Sequence, residues 1–153
     1  GAGATTFWRG DGTWATPSGG TGSYYYIGQN KTAVSVTSAC APVGNNTCTA
    51  VASADFLDAA FVPVTGTLKN LRVHNNAQGA GDTCDIYVQT ASTPGAAFSS
   101  TAITCSIVDT AVGCTDLTNT ASVTAGNGVR ILINETAGTC SITVGWSFEL
   151  LPS

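Results

Sequence analysis

Six cysteines, a single histidine and nine carboxylates carry nearly all the reactive chemistry of this 153-residue sequence. No two cysteines are spaced C-x-x-C, and His74 alone cannot complete a Cys/His zinc set, so neither a metal nor another cofactor is expected. Three disulfides are the better use of six thiols, and they require an oxidising environment. Cys40 with Cys48 would close the loop APVGNNT, Cys105 with Cys114 would close SIVDTAVG, and Cys84 would then remain for Cys140. On chain entropy each short loop is worth ~2.6 kcal/mol and the long one ~4 kcal/mol. Six cysteines allow fifteen pairings, so the connectivity is one to be mapped.

His74 stands next to Arg72 on the strand face opposite Leu71 and Val73. As a general base it would need a nucleophile and an orienting acid; Asp82 and Asp85 are the nearest carboxylates in sequence, and no Gly-x-Ser-x-Gly element accompanies them. A solvent-facing or loop-packing histidine is the simpler reading, and no catalytic residue is assigned. The pairs Asp82/Asp85 and Asp55/Asp58 lack the order of an EF-hand loop and read as surface aspartates. Asp109 and Asp116 flank the Cys105–Cys114 loop and suit turns. Arg9-Gly10-Asp11 matches the integrin tripeptide, but its two neighbouring turn glycines, Gly10 and Gly12, give the segment a structural explanation. Asn30, Asn45 and Asn134 begin N-glycosylation sequons, which matter only in a eukaryotic secretory pathway.

Charged residues make up 9% of the chain, against a usual ~25%, and the net charge is −4. Five scattered cations cannot neutralise a run of phosphates, so nucleic acid is not an expected partner. No apolar stretch approaches the ~20 residues of a membrane span. The start, GAGATTFWRGDG, has neither the basic nor the apolar region of a signal peptide, which points to a processed leader or to release by another route such as lysis.

The elements that must position these groups are strands. Leu71/Val73, Cys84/Ile86/Val88, Ile103/Cys105/Ile107 and Val129/Ile131/Ile133 each alternate with polar residues. Cys140, Ile142, Val144, Trp146, Phe148 and Leu150 share one face of the last segment, a period of two that no helix produces. Tyr24 to Ile27 read as a first strand, Ala60 to Val64 as an edge or bulged strand because of Pro63, and Phe56 to Ala60 as a helical turn or irregular approach. Turn residues at Asn75–Asn76 with Gly79 and Gly81, Pro94-Gly95, Gly126-Asn127-Gly128 and Thr136-Ala137-Gly138 separate the strands. About eight strands at this spacing predict an all-β, antiparallel jelly-roll sandwich over residues 23–153. Residues 1–22 read as an extended stem whose Phe7, Trp8 and Trp14 need a packing partner. Tyr24 and Tyr26 join them as candidates for oligomer or stem packing. In the last strand Trp146, Phe148 and Leu150 suit the core, and the opposite face could line a three-fold axis.

The stretch FWRGDGTWATP resembles the Gly-Asp-Gly-Thr-Trp segments of bacteriophage tail-fibre and other virion fibre proteins. The order AAFVPVTGTLKNLRVH, CDIYVQT, TCSIV…GCTD, VTAGNG, VRILIN and SITVGWSFEL is similar to the small jelly-roll heads of phage fibres, broadly like the C1q and tumour-necrosis-factor fold. The resemblance implies a non-catalytic homotrimer on a virion surface, joined to other virion proteins through its N-terminal segment and attaching to a host-surface glycan or protein. Asn75, Asn76, Gln78, Asp82 and Asn127, with the loop from Thr93 to Ala97, are then the candidate contact residues. Six cysteines depart from the usual fibre head. Two other readings stand beside it: a capsid decoration or head-fibre protein without a receptor, and a secreted C1q-like or lectin-like module.

Overall fold

The computed structural model describes residues 7–8, 13–15, 22–30, 38–40, 44–46, 49–50, 59–76, 79–93, 95–138, 140 and 142–153. No helix occurs among them. Period-two patterning with Val, Ile, Thr and Tyr at the apolar positions favours a pleated, half-buried surface. Its clearest product is β14 (Val144–Pro152). There Val144, Trp146, Phe148 and Leu150 are buried, as are Cys140 and Ile142 leading in. β14 lies centrally, between β3 (Tyr24–Asn30) and β8 (Gly66–Asn75), and antiparallel to both.

The sheet is completed by β11 (Gly113–Asp116) and β12 (Ala121–Val123) along β8, and by β5 (Gly44–Asn46) parallel to β3. A second sheet runs β10 (Ser99–Val108), β9 (Thr83–Ala91), β13 (Gly128–Ala137), β4 (Ser38–Cys40), β6 (Thr49–Ala50). In it, β7 (Ala60–Phe61) also pairs with β13. The two inner faces form one buried apolar cluster, to which Leu68, Leu71, Ile86, Ile131, Ile142 and Phe148 contribute. The chain is therefore an all-β sandwich, as the alternation predicts.

The main strands follow a simple rule. β3 pairs β14, β4 pairs β13, β8 pairs β11 and β12, and β9 pairs β10. First partners last, second partners next to last, and so inward, which makes one long antiparallel ribbon. The ribbon closes on itself where β14 meets β8 and β13 meets β9.

Of the two described disulfides one ties strands of the two sheets together, and the other ties β9 to the connection between β13 and β14. Cys105 of β10 joins Cys114 of β11 with Cα atoms 5.7 Å apart, and Cys84 of β9 joins Cys140 before β14 at 5.5 Å. Cys48 lies outside the described residues, so the Cys40–Cys48 pairing does too.

Two local readings need adjustment. The Ala60–Val64 strand is two residues long, because Pro63 has no N–H for a ladder and the Val62 N–H instead donates to the Asn127 carbonyl (2.8 Å). The N-terminal segment, read as an extended stem, contains a small antiparallel pair, β1 (Phe7–Trp8) with β2 (Trp14–Ala15). The helical turn expected from Phe56 falls at its start on residues that are not described. Tyr26 is a correction. It belongs to the core of its own chain rather than to an oligomer surface, since strand alternation turns it inward onto Phe148, with ring centroids 4.9 Å apart.

The Cys84–Cys140 bond closes a loop with a sequence separation of 56. Replacing both cysteines by alanine should lower the unfolding free energy by about 4 kcal/mol in a denaturant titration. Peptide mapping without reduction should recover the Cys84–Cys140 and Cys105–Cys114 pairs.

Candidate binding groove

Strand register decides which residues meet on the outer face of the β11–β8–β14–β3 sheet. One cross-strand row reads Gly113, His74, Gly145, Gln29; the next reads Thr115, Arg72, Ser147, Ile27. Between these rows lies a depression of about 450 Å³ lined by Ile27, Gln29, Arg72, His74, Gly145 and Ser147, among others. It continues past His74, Gln29 and Gly145 into a second of about 370 Å³ bordered by Asn75, Asn76 and Thr143. Ile27 forms an apolar wall, 62% exposed, and Tyr25 farther down the strand is 65% exposed.

Among the described residues no carboxylate lines either depression. The nearest on this face, Glu149, is turned to internal use. The Ser23 hydroxyl donates to its Oε1, Asn70 Nδ2 donates to Oε2 (2.7 Å), and Lys69 Nζ stands 3.9 Å away. The Ser23 and Asn70 donors, with a smaller contribution from Lys69, hold its carboxyl below the ordinary range against the effect of burial. Asn70 reaches it from a left-handed backbone (φ 59°) at a bulge in β8, where Ser147 faces Arg72 but Glu149 faces Lys69. Asparagine tolerates that conformation better than most residues.

The remaining described cation, Arg130, is buried in the other sheet. Its Nε donates to Gln89 Oε1 (2.8 Å), and its guanidinium lies 4.1 Å from the centre of the Phe98 ring. Arg72 and His74 differ: their side chains have no hydrogen-bond or ion-pair partner among the described residues. Nor does a carboxylate or hydroxyl among these residues hydrogen-bond to the His74 ring, so the groove offers charge and hydrogen bonding.

Other residues singled out in the sequence are placed apart. Asn75 is 2% exposed, because alternation at the end of β8 turns it inward, and it is not a surface contact. Its N–H donates to the Val112 carbonyl, while Asn76 Oδ1 accepts from the Thr143 N–H (2.8 Å). Asp82 lies at this same end, its carbonyl accepting from the Asp109 N–H. Asn127 lies at the opposite end, where its side chain braces a turn by donating to the Ser92 carbonyl and accepting from the Thr124 N–H. The candidate contact loops thus fall at two ends of the sandwich. Asp85 accepts from Ser106 Oγ, and Asn134 is half-buried within β13. Gln78, Asp55, Asp58 and Arg9-Gly10-Asp11 are outside the described residues, as are the side chains of Phe7, Trp8 and Trp14. No group of three or more His, Cys, Asp or Glu side chains among the described residues could hold a metal ion. No family model and no curated protein matches the chain.

Asp116, expected in a turn, is buried and does more than that. It accepts from the N–H groups of Asn119 (3.0 Å), Thr118 (3.2 Å) and, across the sheets, Thr104 (3.0 Å), and from Asn119 Nδ2 (3.0 Å). Burial pushes the carboxyl up, but these donors outweigh it and the pKa is lowered from 3.8 to about 2. A lowered pKa stabilises the fold above the unfolded value and loses that contribution as pH falls toward the folded one. Stability should therefore drop between pH 3.8 and about 2. Asp116→Asn should flatten that drop and cost about 2 kcal/mol at neutral pH, read from denaturant midpoints.

Proposed function

We propose that this chain is the head of a homotrimeric virion fibre or spike, a non-catalytic module that assembles through its N-terminal segment and attaches to a host surface. The observation that carries this reading is the polarity of β3. Its first residues, Tyr24 and Tyr25, expose large rings where residues 1–22 join the sandwich. From Ile27 to Gln29 the same strand borders the groove, which begins about 7 Å beyond Tyr25 at the usual rise per residue. Exposed rings beside a segment that itself carries Phe7, Trp8 and Trp14 suit an interface between copies, where aromatic residues are enriched. The groove end is left for contact with something else.

The first-with-last ribbon supports reading the sandwich as a jelly roll, the architecture implied by the fibre-head resemblance. Disulfides suit a particle that must persist in an oxidising exterior. A surface of Thr, Ser, Asn and Gly with few charges keeps its hydration over a wide range of salt. Attachment would rest on repetition: three equal weak sites on one rigid head raise avidity without any tight single site.

Light scattering on the full chain should give three times 15.4 kDa, and removal of residues 1–22 should abolish the trimer. A monomer in both cases would contradict the fibre-head reading and favour a single-chain secreted binding domain.

A further inference from the structure

Glycine inside a strand weakens it, and three glycines in the β3–β14–β8 region invite the question of why no side chain is present. Two have an answer within the chain. A Cβ on Gly28 would stand 2.8 Å from the Trp146 ring, and one on Gly66 would stand 2.3 Å from the Leu151 carbonyl oxygen. Gly145 has none. A Cβ there would meet only the Gly28 carbonyl oxygen at 3.9 Å, an ordinary contact, and its backbone is not left-handed. Yet Gly145 lies between His74 and Gln29 in the middle of the groove, in the central strand of the sheet. Strand glycines without an internal cause mark places where something from outside approaches the backbone.

The walls say what that something is. Arg72 and His74 project from one strand, two residues apart and on one face, with no partner among the described residues. The described lining contains no carboxylate in a protein of net charge −4. Lys69 and Arg130, the other described cations, are already engaged. The same depression is lined by the Gln29 amide and the Ser147 hydroxyl, able both to donate and to accept, and by the apolar Ile27. A planar guanidinium can hold a planar carboxylate through two parallel N–H···O bonds. Amide and hydroxyl groups suit vicinal hydroxyls, and Ile27 suits the C–H face of a ring. The volume matches a small ligand site.

From these features we infer that the groove over Gly145 binds a carboxylate-bearing pyranose, with Arg72 pairing the carboxylate and Gln29 and Ser147 taking ring hydroxyls. This rests on the attachment reading and names its ligand class. It also places the site on the sheet face beside the second half of β3, rather than on the loops.

The test is a ¹⁵N NMR titration of the full chain with sodium glucuronate, with glucose and sodium acetate as controls. Glucuronate should shift the Gly145, His74 and Ser147 amides with a Kd of about 1 mM, as expected of one weak site in a multivalent head. Glucose and acetate should each bind at least about tenfold more weakly, since each lacks half of the recognised chemistry. Arg72→Gln should remove the glucuronate response. Gly145→Val should remove it as well while leaving the remaining spectrum folded. Equal shifts with glucose, an undiminished response in Arg72→Gln, or no response in the groove would overturn the inference. A fall in light-scattering mass in Gly145→Val would also overturn it, by making the groove a contact between copies. Host cells that bind the native and Gly145→Val heads equally would sink this site while leaving attachment intact; cells that bind neither, with glucuronate still shifting the groove, would sink attachment alone.

Discussion

Strand periodicity commits every side chain of the last segment to one of two faces, and the molecule is organised around that division. β14 is central in its sheet, so its inward residues are covered by the opposite sheet and its outward residues lie between two neighbouring strands. Trp146, Phe148 and Leu150 are in the core, and Phe148 also fixes β3 through the Tyr26 ring. Gly145, Ser147 and Glu149 form the spine of the outer face. Slipping the register by one residue would exchange the two sets, burying Ser147 and exposing Phe148, which is why such a strand specifies its own placement. The groove is a consequence of the same register: His74 and Gln29 face each other across Gly145 only in this pairing.

Polar groups are arranged to leave that face free. Glu149 would put a negative charge beside the groove, but Ser23, Asn70 and Lys69 absorb it. Asp116 is consumed in holding the β10–β11 edge, close to the Cys105–Cys114 bond. Arg130 is held against Gln89 and Phe98 on the other sheet. In a chain with so few charges, this leaves Arg72 and His74 as the basic side chains of the described surface that carry no internal task. The proposed sugar-acid site draws its selectivity from that scarcity as much as from its shape.

Much of the fold was legible because its signals are local. Alternation from Cys140 to Leu150 needs no knowledge of neighbours, and Cys105 and Cys114 are close enough in sequence to suggest their bond. The site was less legible because it depends on which strands lie side by side. His74 was read correctly as outward-facing, but nothing in the sequence sets Gly145 and Gln29 beside it. The Asn70 bulge shifts register by one residue, and with it the reach of Asn70 to Glu149; asparagine within a strand pattern was the available hint. Asn75, expected at a loop surface, is buried because β8 runs one residue farther than its apolar pattern, and Asn127 lies at the other end of the sandwich. Tyr24 and Tyr26 share a face by alternation, and only the position of each along β14 separates the ring buried on Phe148 from the exposed one.

Denaturant unfolding of Phe148→Ala and Gly145→Val, measured side by side with oligomeric state held fixed, tests the division of β14 most directly. The account predicts a loss of about 3–5 kcal/mol for Phe148→Ala, which empties the core. For Gly145→Val it predicts a change within about 0.5 kcal/mol, because the added side chain enters only the groove. A destabilisation by Gly145→Val comparable to that of Phe148→Ala would show that the glycine serves the fold itself and would contradict an outer face kept open for a ligand.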